Sequence, residues 1–184
     1  MKTPTNLFDY VQVGNVFDND TCDLYLERLS KKKMWKPHQW FQNAAEEYTN
    51  KEDFNVTYDA DISNNMMEPV LKFAEEYFKE NKEGGGSDTS FSGVRFNRYN
   101  VGESITPHTD HIHSIFDGTR RGIPVLSFVG VFNDDYEGGD FMLCGEKIDL
   151  KKGDAVIFPS VFLYPHWVTT VTKGTRYSWV MWSW

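Results

Sequence analysis

The sequence predicts a mainly β domain supported by N-terminal helices, an α+β arrangement, and three observations carry that expectation. From Thr89 to Trp184 turn glycines punctuate what read as about eight short strands. Before Gly84-Gly85-Gly86 the apolar residues instead recur with helical period. The chain also holds 14 Phe, 9 Tyr and 6 Trp, dense toward its C-terminal end, enough to pack a β core. At 184 residues one domain over 1–184 is expected, with helical support over about 1–88 and the β core over about 89–184.

Residues 18–33 read as a first helix. Asp18 or Asp20 caps its start, Leu24, Leu26 and Leu29 accompany Tyr25, and Lys31, Lys32 and Lys33 suit the negative end of the helix dipole. Residues 34–40 then read as a strand edge, 41–53 as a polar, acidic loop, and 54–58 as a second alternating strand. Met66, Met67, Val70, Leu71, Ala74, Tyr77 and Phe78 predict an amphipathic helix of about four turns, with Pro69 in its first turn. Strands are expected at about 89–100, 105–110, 123–132, 140–144, 147–150, 155–159, 164–171 and 175–183. That number of short strands suits a jelly-roll, the double-stranded β-helix whose two sheets face a central cavity, with the helices outside one sheet.

A net charge of -8 argues against a phosphate-binding surface and hence against nucleic acid, and it suits a monomer or small homo-oligomer. Cys22 and Cys144 are too few for a disulfide framework. No basic-then-apolar leader opens the sequence, and no apolar run approaches the ~20 residues of a membrane span. The expectation is a cytoplasmic protein with no membrane partner.

The chemistry concentrates in His108-Thr109-Asp110, His166 and Arg176. Residues two apart on a strand share a face, so His108 and Asp110 can aim at one point while Thr109 turns away. Pro107 suits a strand end or edge. Alone, this stretch would be an ordinary polar turn, but His166 sits in a strand-like run that should cross the same cavity. Two imidazoles and a carboxylate hold a divalent metal on one face and leave the opposite positions open. His111 and His113 also form a spaced pair, but they precede a loop-like segment and read as histidines turned away. The three ligands alone do not separate iron from a catalytic zinc. Arg176 decides for iron: a buried guanidinium facing a cavity needs an anion, and a second carboxylate, one belonging to a substrate, would supply it.

His-x-Asp, a distal His followed by x-Val-x-x-Val-x-x-Gly-x-Arg, and Tyr99-Asn100-Val101-Gly102 upstream of His108 resemble the 2-oxoglutarate- and iron(II)-dependent oxygenases. The resembling branch is prolyl 4-hydroxylase-like and includes small microbial and viral members. Residues 137–141 and 153–160 also match that family's turns, so the resemblance covers roughly 91–184. It implies Fe(II) on His108, Asp110 and His166, 2-oxoglutarate held at its distal carboxylate by Arg176, the Tyr99 hydroxyl on the cosubstrate, and dioxygen as co-reactant. Ascorbate is an optional further cofactor. The expected activity is hydroxylation of prolyl residues in a peptide or protein, with release of succinate and CO2. Trp182 matches a Trp lining the substrate mouth in some relatives, though core packing beside Trp179 and Trp184 explains it equally well. The 41–53 loop and the 111–122 segment, with Arg120 and Arg121, are candidate substrate-covering segments. Many collagen-type members carry Lys where this chain has Arg176, which groups it with Arg-type hydroxylases, the oxygen-sensing kind included. Another Tyr of some relatives has no counterpart in residues 125–131. The competing functions are an oxygenase of small molecules or nucleobases and a non-catalytic jelly-roll interaction module.

Overall fold

Asp18 and Asp59 set the starts of the two helices, each accepting a hydrogen bond at its carboxylate from a backbone N–H of the first turn, Thr21 and Ile62 respectively. The structure is a computed structural model and describes residues 5–43, 46–50, 52–81, 90–110 and 124–184. The helices are α1 (Asn19–Ser30) and α2 (Ala60–Glu80). The strands are β1 (Gln12–Asn15), β2 (Lys36–Pro37), β3 (Trp40–Asn43), β4 (Glu46–Tyr48), β5 (Asn55–Thr57), β6 (Arg95–Tyr99), β7 (Ile105–His108) and β8 (Leu126–Val131). They continue with β9 (Glu137–Gly138), β10 (Phe141–Leu143), β11 (Glu146–Ile148), β12 (Asp154–Pro159), β13 (His166–Val168), β14 (Val171–Lys173) and β15 (Arg176–Ser183).

The fold is the expected jelly-roll. Its major sheet runs β1-β12-β8-β15-β6-β5-β2 and its minor sheet β11-β10-β13-β7, both wholly antiparallel. Along β15 the period of two divides the work. Trp179 and Met181 pack with Tyr25 and Leu29 of α1 and with Ile62, Met66, Val70 and Phe73 of α2. Val180 packs instead with Val129, Phe141, Phe158 and Val168, in the layer shared by the two sheets. Helices cover one face of the major sheet and the cavity lies on the other, so β8 is buried at every position. Gly130 of β8 lies opposite Trp179, and a Cβ there would sit 2.3 Å from the indole. Glycine is what lets the ring lie across the strand.

Four expectations are corrected. α2 is 21 residues long, starting at Ala60 rather than near Met66, and Pro69 lies in its interior. Ile62, Met66, Val70 and Ala74 form one buried row of that helix, but the polar residues between Ile62 and Met66 hide the period from view. Pro69 leaves the carbonyl of Asn65 without its helical donor, and Asn65 is exposed, so water can serve it. The 41–53 segment is not simply a loop, because β3 and β4 pair as a hairpin. The run 164–171 divides into β13 and β14, which pair in different sheets. Finally, β1 adds an unforeseen strand to the edge of the major sheet, paired with β12. Gly84, Gly85 and Gly86 lie outside the described residues.

Candidate functional site

His108 ends β7 and His166 begins β13, and the ladder of the minor sheet sets them directly opposite each other, with ring centroids 4.4 Å apart. β7 is the last strand of that sheet, which tolerates Pro107. Asp110 lies two residues beyond the strand end, and its carboxylate reaches back to 3.9 Å from His108 Nε2 and 3.7 Å from His166 Nε2. One ligand atom from each of the three lies within 4.8 Å of the others, so the group could hold a single metal ion. The rings are oriented for it. His108 Nδ1 donates to the Thr106 carbonyl at 2.8 Å and His166 Nδ1 donates to the Tyr164 carbonyl at 3.1 Å. A carbonyl can only accept, so in the neutral ring each Nε2 keeps its lone pair for a metal.

The carboxylate is held as firmly. Ser127 Oγ donates to Asp110 Oδ2 at 2.6 Å and the Trp182 indole N–H donates to the same oxygen at 2.8 Å, leaving Oδ1 free of both. Ser160 lies 2.7 Å from Ser127 and completes a buried chain of hydroxyls behind the site. Burial pushes the Asp110 carboxyl up, but His166, His108 and these two donors outweigh it and hold the group below the usual carboxylate range. Burial and the facing His166 bring His108 down to about 4, against the opposing pull of Asp110. An ionised Asp110 beside a neutral His108 suits a divalent cation, which binds the deprotonated forms.

Arg176 opens β15 and is 1% exposed, as deep as any charged group described. The main-sheet ladder pairs it with Tyr99, and its guanidinium carbon lies 5.2 Å from the Tyr99 ring centroid. Ser178, two residues on and on the same face, accepts from Nη1 at 2.7 Å. Nε and Nη2 are buried without a hydrogen-bond partner. A buried guanidinium with two orphaned donors is chemically suited to an anion, and its planar fork to a carboxylate. Gly138 and Gly139 turn the chain here at positive φ, and a Cβ on Gly139 would meet Arg176 Cδ at 3.1 Å.

These groups line one cavity of about 380 Å³, counted to its open mouth, which joins His108, Asp110 and His166 to Arg176 through Val129, Phe141 and Val180. Tyr99 lines the wall and is 2% exposed, and burial pushes its hydroxyl up to about 12, so it stays protonated and can donate. Trp182 also faces the cavity, half-buried, where its hydrogen bond to Asp110 gives it a task beyond core packing. His111, His113, Arg120 and Arg121 lie outside the described residues.

The sequence missed Ser127 and Ser178, whose signal was available as polar positions facing inward on apolar strands. It also missed the aromatic wall formed by His38, Trp40 and Phe54. Trp40 meets His108 edge-on at 5.3 Å, and His38 stacks on Phe54 at 4.6 Å, which stacks in turn on Tyr99 at 4.4 Å. His38 is 9% exposed, and burial, with Arg95 and His108 nearby, lowers it to about 3. It is therefore neutral when folded and binds fewer protons than the unfolded chain. The associated stability is complete above about pH 6.5 and is lost as pH falls toward about 3. His38→Phe should flatten the acid-side loss by about 2 kcal/mol between pH 7 and 5 in urea denaturation. An unchanged slope would place His38 in a more solvated setting.

The model of the 2OG-Fe(II) oxygenase superfamily matches residues 94–184, which hold every residue of this centre. Residues 94–184 belong to that superfamily. Among curated relatives, it is similar to a PKHD-type hydroxylase of Delftia acidovorans, 37% identical over 98 residues, covering 48% of this chain and 42% of that protein. A PKHD-type hydroxylase of Shewanella oneidensis is 38% identical over 93 residues, covering 47% and 40%. The chain thus spans less than half the length of these relatives. In fold it is similar to the viral collagen prolyl hydroxylase of Paramecium Bursaria Chlorella virus-1, solved with 2OG, at TM-score 0.70 and 16% identity over 95% of this chain and 94% of that one. It is likewise similar to a Trichoplax adhaerens prolyl hydroxylase in complex with a hypoxia inducible factor peptide fragment, at TM-score 0.69 and 13% identity over 96% and 84%. In fold, these likenesses extend over nearly the whole chain, β1 and the helices included. Among the described residues no helix is long and apolar enough to cross a membrane.

Proposed function

We propose that residues 1–184 form one 2-oxoglutarate- and Fe(II)-dependent dioxygenase domain that hydroxylates prolyl residues of a peptide or protein. The observation that carries this is the coexistence, in one cavity, of a three-donor metal cluster and a buried guanidinium with two unpartnered donors. The donor chemistry fits the group the superfamily implies. Two nitrogens and one carboxylate oxygen suit ferrous iron with exchangeable positions, and no thiolate is present to favour a closed zinc site. When bound, iron and 2-oxoglutarate supply an oxidative decarboxylation that consumes dioxygen, releases succinate and CO2, and puts one oxygen atom into a substrate C–H bond.

The chain's own residues then have separable tasks. His108, Asp110 and His166 hold the iron, with the Nδ1 hydrogen bonds fixing each ring. Arg176 grips the distal carboxylate in a bidentate manner while Ser178 fixes its Nη1 corner. Tyr99 donates its hydroxyl to the cosubstrate from the adjoining strand. Val129, Phe141 and Val180 keep the space between the two ends apolar, which strengthens every charge contact inside it. No side chain need act as an acid or base. The prolyl substrate is supported by the solved neighbours that act on collagen or carry a peptide. A cytoplasmic setting accords with Cys22 and Cys144 both being free thiols.

Anaerobic titration with Fe(II) and 2-oxoglutarate tests the centre. The visible absorption of the chelated cosubstrate should appear, and in air succinate release should rise when prolyl peptides are added. Iron binding without that absorption would end the oxygenase assignment. Absorption with no response to any prolyl peptide would end the prolyl one alone.

A further inference from the structure

Arg95 is the second cation of the cavity, and nothing in the chemistry above uses it. The period of β6 puts Arg95, Asn97 and Tyr99 on one face, all lining the cavity. The ladder to β15 sets Tyr99 opposite Arg176, Asn97 opposite Ser178 and Arg95 opposite Val180. Four residues of strand therefore separate the two arginine positions along the sheet, roughly 13 Å of backbone at the usual rise. Arg176 occupies one end of the cavity floor. Arg95 stands at the other, beside Trp182, whose indole holds the Asp110 carboxylate.

The Arg95 side chain is placed with care. Its Nε donates to Asn97 Oδ1 at 3.2 Å. Its guanidinium carbon lies 5.1 Å from the Trp182 ring centroid and 5.8 Å from that of Phe54, so two aromatic faces steady the charge. Among the described residues no carboxylate lies within ion-pair distance of it, although the chain carries 27 acidic residues against 19 basic ones. Burial pulls its pKa down, with Tyr99, Tyr58 and Asp110 only partly offsetting that pull. A half-buried cation set between two rings, with no carboxylate partner among the described residues, is suited to an anion that a ligand brings.

Resting on the dioxygenase function proposed above, we infer that Arg95 is a specificity residue that binds a carboxylate of the substrate, close to the carbon that is hydroxylated. The cosubstrate has only two carboxylates, one for Arg176 and one for the metal, so the anion at Arg95 belongs to the other reactant. A single planar fork, with no second guanidinium or ammonium beside it among the described residues, matches a carboxylate better than a phosphate, whose three charged oxygens draw several donors. The net charge of -8 likewise disfavours a polyanion. Trp182 and Val180, which line the cavity beside Arg95, provide apolar flanks for a compact ring or aliphatic group next to that carboxylate. The substrate is thus an acidic peptide or a chain-terminal residue, not a neutral internal segment.

The test uses protein loaded with Mn(II) and 2-oxoglutarate, so that binding is read without turnover, by the fluorescence of the tryptophans beside the site. Two matched probe pairs separate the sources of the carboxylate. N-acetyl-glycyl-proline against its amide tests a chain terminus, and N-acetyl-prolyl-aspartate amide against its asparagine counterpart tests an acidic side chain. In the native protein the acid of at least one pair should bind about 10–100-fold more tightly than its neutral partner. In Arg95→Gln that ratio should fall to about one, while the cosubstrate absorption of the anaerobic Fe(II) complex keeps its midpoint. Equal binding of acid and neutral probes, or no binding of either pair, overturns the inference and leaves the dioxygenase assignment standing. Loss of cosubstrate absorption in Arg95→Gln overturns it too, because Arg95 would then serve 2-oxoglutarate. If the native protein never takes up 2-oxoglutarate, the dioxygenase assignment fails and the inference falls with it.

Discussion

Replacing Arg176 by Met should weaken 2-oxoglutarate binding by about 100-fold or more while making the ligand-free protein more stable. Both effects follow from one feature, a guanidinium 1% exposed with Nε and Nη2 unpartnered. With cosubstrate bound, those donors and the positive charge would meet a carboxylate in an apolar cavity, where losing one partner of a charge-assisted pair costs about 2–5 kcal/mol. Without cosubstrate the same charge is desolvated and only partly repaid by Ser178 and the Tyr99 ring. Met keeps much of the apolar stem and removes the charge, which in comparable buried settings gains about 1–4 kcal/mol. The anaerobic Fe(II) titration reads the first effect and urea denaturation of the metal-free chain reads the second. A variant that binds 2-oxoglutarate normally would remove Arg176 from the site. One that is simply less stable would mean its donors are satisfied by water.

Trp182→Phe should weaken Fe(II) binding about 10–100-fold, the range typical of groups that orient a metal ligand. His108→Ala, which deletes a proposed ligand outright, should reduce it further, below easy detection. Phe keeps the ring beside Arg95 but loses the indole N–H that donates to Asp110 Oδ2. Ser127 would then hold that oxygen alone, and the carboxylate could rotate away from the point where His108 and His166 converge. Calorimetric titration of the metal measures this without turnover. Unchanged metal affinity in Trp182→Phe would return Trp182 to packing or substrate contact. Unchanged affinity in His108→Ala would dismantle the proposed centre.

Much of the architecture was legible because burial on a strand has a period of two and turns need glycine. The strands carrying His108, His166 and Arg176 emerged where expected, although the 164–171 run is divided in two. The features that escaped were those with no local signature. β1 is short and contains Gly14, and it becomes a strand because β12 offers it an edge. The early turns of α2 are polar apart from Ile62, so only the Asp59 cap and the packing on the sheet reveal them. β3 and β4 pair with each other although the composition of that stretch reads as loop.

Residue type and spacing alone pointed to the jelly-roll, to three candidate metal ligands and to a cation able to match a second carboxylate. These are properties of which residues occur and how far apart they stand along strands. Tertiary structure alone decided which oxygen of Asp110 is held by Ser127 and Trp182, which atoms of Arg176 are left orphaned, and that Arg95 shares the cavity with it at the opposite end. Those facts depend on ladder register and on side chains meeting across 72 residues of chain, as Trp182 meets Asp110. Contacts at that separation are set by how the sheets close on each other, and no local pattern encodes them.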